Sequence, residues 1–90
     1  MSVAVNHDYP CVNALRIVAD NGTPISDAAV EIYEYVDYSA NEMAAVVVDE
    51  TETDSDGKWK DTLTLEDGRT WIVRIEKTGI FGPKILEITT

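Results

Sequence analysis

Between Ala28 and Thr89, separate runs of residues alternate apolar and polar with a period of two. That spacing puts successive side chains on opposite faces of a β-strand. Ala28, Val30 and Ile32 fall on one face of a predicted strand over 28–35, with Glu31, Tyr33 and Tyr35 on the other. Trp59, Leu63 and Leu65 share the inward face of 59–65, and Lys58, Lys60, Thr62 and Thr64 face water. Trp71, Val73 and Ile75 do the same in 70–77, opposite Arg74 and Glu76. Lys84 to Thr89 closes the chain with Leu86 and Ile88 inward. Two further strands are predicted: Leu15–Asp20, and Ala45–Thr53 around the β-branched run Val46, Val47 and Val48.

Turn chemistry separates these runs. The central one is Thr53-Asp54-Ser55-Asp56-Gly57-Lys58-Trp59, where Asp-Gly supplies the positive φ of a tight hairpin. Asn21-Gly22, ahead of Pro24, reads the same way, and Asp67-Gly68 and Thr78-Gly79 mark further turns. Gly82-Pro83 interrupts the pattern once more. Asp37 to Ala44 breaks the alternation and suits one helical turn capped by Asp37 or Ser39. Residues 1–13 are polar and broken by Pro10, and read as an extended arm ordered by a neighbour. Residues 14–90 then form the domain. Short strands with a turn between each pair predict an all-β sandwich or barrel.

Ninety residues support one core and little internal cavity. Seventeen acidic residues against seven basic ones leave a net charge of −10. That field repels nucleic-acid phosphates and anionic membranes, so neither is expected as a partner. Cys11 is the only cysteine, which excludes an intrachain disulfide and points to a small, buried or idle thiol, with an intermolecular disulfide or redox role as the alternative. The opening residues carry no basic-then-apolar export pattern, and no apolar run reaches membrane-spanning length. A cytoplasmic protein, or one assembled there into something larger, is the expectation.

The run Asp20-Asn21-Gly22-Thr23-Pro24, then Ala28–Ile32, Thr53–Trp59, Trp71–Ile75 and Lys77-Thr78-Gly79 resembles the carboxypeptidase regulatory-like (transthyretin-like, prealbumin-like) β-sandwich domains. The resemblance covers most of the chain after residue 14. It implies a Greek-key, Ig-like sandwich of about seven strands. In that family Gly22, Asp56 and Gly57 are turn positions and Trp59 is core, none of them catalytic. His7-Asp8-Tyr9-Pro10 and the 77–83 stretch also look like small tailed-phage proteins of this type. The related hydroxyisourate hydrolases need several histidines, an arginine and a Tyr-Arg-Gly-Ser tail. Here there is one histidine and the last residues are Glu87-Ile88-Thr89-Thr90, so that activity is not expected. An internal isopeptide needs a Lys in an early strand and Asn or Asp in the last, and neither is present.

Candidate chemistry is sparse. Glu52, Asp54 and Asp56 alternate ahead of Gly57 like the start of a calcium loop, but Leu63 stands where a bidentate Glu is needed. A solvated hairpin turn is the simpler reading. His7, Asp8 and Cys11 are close in sequence, yet a nucleophilic Cys needs an oriented base and a metal needs more ligands. No catalytic residue, cofactor site or metal site is therefore assigned. Trp59 and Trp71 sit on the apolar parity and are expected in the core rather than stacked on sugar. Tyr33, Tyr35 and Tyr38 are read as an exposed patch, the residue type favoured at interfaces. His7, Tyr9 and Phe81 are added as partner-binding candidates, with Phe81 either anchoring a loop tip or folding back onto the core.

These readings give a non-enzymatic structural or adhesive module. Its most concrete form is a small virion protein of a tailed phage (capsid-decorating, head-fibre or tail-associated). Other virion proteins or further copies of the chain are the expected partners. The alternative is a carbohydrate-binding module using the tyrosines on a glycan.

Overall fold

The computed structural model describes residues 1–90. The elements run β1 (Ser2–Val5), β2 (Ala29–Glu34), α1 (Tyr35–Ala40), β3 (Asp49–Glu52), β4 (Leu63–Glu66), β5 (Thr70–Lys77) and β6 (Phe81–Thr89). All pairings are antiparallel: β1 with β4 in one sheet, and β3-β2-β5-β6 in the other. The chain is all-β apart from the single six-residue helix.

The core lies where the inward faces of both sheets meet. Val5, Leu63 and Leu65 come from the two-stranded sheet. Val30, Ile32, Trp71, Val73, Ile75 and Ile88 come from the larger one, with Leu15, Ile17 and Ile25 packed in from the connecting segment. Each large side chain so buried is worth about 1.5–3 kcal/mol. Trp59 and Trp71 are both core residues, and their indole N–H groups donate to the Leu15 carbonyl and to Thr90 Oγ1. This matches the parity expectation for both.

Several elements differ from expectation. There are six strands where about seven are expected. Only Ser2–Val5 of the N-terminal segment is extended, residues 6–13 run through turns, and the neighbour that orders it is the same chain. Ser2–Val5 pairs with Glu66–Leu63, and Val5 is fully buried. Leu15–Asp20 forms no ladder. It contributes only the Val18–Pro24 bridge, while Leu15 and Ile17 still reach the core. Its backbone is spent on other elements: Ile17 N–H donates to the Gly57 carbonyl, and the Ile17 carbonyl accepts from Ile25 N–H.

Strand β3 begins at Asp49, so Val46–Val48 lies outside it. β2 stays extended through Glu34, but the β2–β3 ladder ends at Ile32–Asp49 and is followed only by the Val48 N–H bond to the Ile32 carbonyl, while Val46 N–H donates to Asp37 Oδ2 instead. The helix starts after Glu34 with no side-chain cap, rather than at Asp37 or Ser39. At the other end β6 runs through Gly82-Pro83. A register shift opposite Ile75–Lys77 absorbs the irregularity, and Gly82 takes φ +81°, which glycine adopts without strain.

Candidate protein-binding surface

The outer face of the large sheet is where the chain departs from a simple polar exterior. By the register, Tyr33 lies opposite Ile72 and Glu31 opposite Arg74 on this face. The helix α1 packs over β2 and β5 and covers part of it. Tyr33 and Ile72 are consequently buried. The Tyr33 and Tyr38 rings sit 5.1 Å apart at a tilt of 52°, an arrangement aromatic pairs favour. Tyr33 Oη donates to Glu31 Oε1 at 3.2 Å. Burial first, then the Glu31 carboxylate, raises the Tyr33 hydroxyl pKa, and burial and Glu42 do the same for Tyr38.

Arg74 reaches Glu31 at 3.5 Å and Glu76 at 3.2 Å. Its partial burial opposes the charge, but Glu76 and Glu31 outweigh this and hold the guanidinium more firmly protonated. Beside it, Tyr33, Tyr38, Glu42, Met43, Arg74, Pro83 and Ile85 line a groove of about 280 Å³. Tyr35 points elsewhere and lines a separate recess with Glu34, Val36, Arg69 and Thr70. The three tyrosines therefore do not form one exposed platform: one is buried, one leans on it, and the third is apart.

The connection from Tyr35 to Val48 is strongly apolar at its surface. Val36 is 77 % exposed, Met43 91 %, Val46 69 % and Val48 51 %. The sequence places Val46, Val47 and Val48 at the centre of a strand, because three β-branched residues in a row favour extended backbone, and that reading hides the exposure of Val46 and Val48. Their Lys-free, β-branched run beside Asp37–Ala44 is the signal that was present.

The other candidates have structural work. His7 Nδ1 accepts the Trp59 N–H at 3.3 Å, and the His7 carbonyl accepts from Leu15 N–H. Tyr9 Oη donates to the Thr89 carbonyl, and its ring packs on the core. Phe81 folds back against the core and is not a free loop tip. Asp54 closes its own turn, with Oδ1 accepting from Asp56 N–H at 2.9 Å and Lys58 N–H at 3.1 Å. Those bonds, the Asp56 one foremost, hold its carboxyl below the usual carboxylate range. Cys11 is exposed. No three His, Cys, Asp or Glu side chains are grouped to hold a metal ion. No helix is long and apolar enough to cross a membrane. In comparisons with family models, curated proteins and solved structures, nothing matches the chain.

Proposed function

We propose that the protein is a non-enzymatic structural or adhesive module that works by binding other proteins. One observation carries this reading: the Tyr35–Val48 connection presents Val36, Met43, Val46 and Val48 to solvent on a chain otherwise dominated by carboxylates. Apolar surface displayed in one segment and framed by polar residues is the mark of an interaction site. The rigid sheets behind it hold the segment in place, and loops on such scaffolds give specificity. The polar residues that a catalytic reading would recruit, His7 and Asp54, are engaged in holding the fold.

Its most concrete form is a small virion subunit of a tailed phage, bound to other virion proteins; the resemblance of the 7–10 and 77–83 stretches supports this form. The same proposal takes the two sheets as a Greek-key, Ig-like sandwich, with Leu15–Asp20 where a further strand runs in that class. The test is cosedimentation of the purified chain with phage particles from its own source. The chain should pellet with them, and Met43→Glu with Val46→Glu should release it without changing its circular dichroism. A chain that stays in the supernatant with every particle removes the virion form.

A further inference from the structure

Strand β6 is one edge of the large sheet and pairs with β5 alone. Its backbone pattern can be read from its end. Thr90 N–H donates to the Arg69 carbonyl, and the register continues as Thr70–Thr89, Trp71–Ile88 and on to Ile75–Lys84. Residues in an antiparallel pair alternate between exchanging both backbone bonds and turning both groups away. So Lys84, Leu86 and Ile88 bond to β5, while Pro83, Ile85, Glu87 and Thr89 turn their backbone outward. Pro83 has no N–H to offer, and the Thr89 carbonyl is already taken by Tyr9 Oη. What remains open is short and defined: the N–H groups of Ile85 and Glu87, and the carbonyls of Pro83, Ile85 and Glu87. The opposite edge is partly closed, since the Glu52 carbonyl on β3 accepts from Lys60 N–H.

Side chains around the open rim set what fits it. Ile85, Pro83, Met43 and Tyr38 border the outer-face groove, and Ile85 is 47 % exposed. Arg74 is neutralised by Glu31 and Glu76, so the face keeps excess negative charge from that cluster, from Glu42 and from Glu87. We infer that the β6 edge accepts an extended segment of a partner protein as an added antiparallel strand. The segment carries a basic residue opposite Glu87 and, two positions later, an apolar residue opposite Ile85. Running antiparallel, it reads basic–x–apolar. It makes backbone bonds to the two free N–H groups and three free carbonyls, its apolar side chain enters the Tyr38–Met43–Ile85 groove, and its cation meets Glu87. Charge decides against a second copy as occupant, because two chains of net charge −10 repel. This inference rests on the protein-binding reading and names the chemistry of the partner.

The test uses the full chain and a fluorescent, end-blocked peptide Thr-Lys-Thr-Ile-Thr-Val, read by anisotropy. Saturable binding with Kd on the order of 100 µM or tighter is expected. N-methylation of the peptide's Lys and Ile, whose N–H groups face β6, should weaken it at least about tenfold, while N-methylation of the flanking Thr residues should not. Glu in place of Lys should weaken it similarly. Ile85→Pro removes an outward N–H that the fold does not use, and should also weaken binding. If that variant does not fold, Glu87→Lys serves instead and should reverse the preference towards the Glu peptide. No binding, equal loss from both methylation patterns, or a wild-type dimer that dissociates in Ile85→Pro overturns the inference. A chain that cosediments with particles yet ignores these peptides overturns the edge while leaving the protein-binding reading intact.

Discussion

Thr53 shows how one side chain joins parts of the chain that no strand connects. It is fully buried, its Oγ1 donates to the Ile25 carbonyl at 2.7 Å, and it accepts from Ala28 N–H at 2.9 Å. Thr53→Val keeps the volume but strands a buried donor and a buried acceptor. It should cost about 2–4 kcal/mol in urea denaturation, whereas Thr53→Ser, which keeps both bonds, should cost about 1 kcal/mol. Asp54 next to it is an acid-sensitive clasp. Its folded pKa lies below its unfolded one, so between those values the unfolded chain binds more protons. The stability it adds is therefore complete above the usual carboxylate value of about 3.9 and drains away as pH falls through the lower, folded value. Asp54→Ala should flatten that part of an acid-unfolding curve and leave the slope at neutral pH unchanged. An unchanged acid limb would show that the turn bonds do not favour the charged form.

At the scale of elements, the hairpin turn is docked as well as closed. Gly57 has φ +74°, and a Cβ added there would run into the Ile17 carbonyl, while Arg16 Nε donates to the Asp56 carbonyl at 2.7 Å. Gly22 has a similar φ of +86° with open space around it. Gly57→Ala should therefore cost roughly 3 kcal/mol or more, from strain plus displacement of the 15–25 segment, against about 1 kcal/mol for Gly22→Ala, from strain alone. Equal thermal shifts for the two would rule out the close approach. Both glycines were legible as turns in the sequence, but the contact at Gly57 was not, since it joins residues 40 positions apart. The same division runs through the strands. Leu63 and Leu65 announced β4, which has one buried and one exposed face, and Trp71, Val73 and Ile75 announced the inward face of β5, whose outer face is half-buried and includes the buried Ile72. Val46–Val48 misled because local β-propensity says nothing about where a ladder stops, and this one ends at Ile32–Asp49. Tyr33 was placed on the outer face correctly, yet a helix that parity cannot foresee covers it. Val3 and Val5 did alternate with Ser2 and Ala4, a four-residue signal hidden by the polar residues that follow.

For the whole molecule, charge opposes the packing that the strands achieve. The ion pairs at Arg69, Lys60 and Arg74 offset only part of a net −10. Screening lengths shorten to about 10 Å at 0.1 M salt, so repulsion across the molecule should fade before the short pairs do. The melting temperature should rise by several degrees as sodium chloride goes from about 10 mM to 0.1 M. A fall would mean the pairs outweigh the repulsion. The pairing order also has a consequence for how the chain is made. β1 waits for β4, and β2, whose Val30 and Ile32 are fully buried in the finished fold, waits for β5 some 40 residues later. During synthesis, then, the first sixty-odd residues emerge with only the β2–β3 ladder able to form. A chain halted before Leu63 should be digested by protease as readily as an unfolded one. Resistance should appear in a single step only once β5 and β6 have both emerged, so the ribosome hands over a nascent chain that has no stable half-built form.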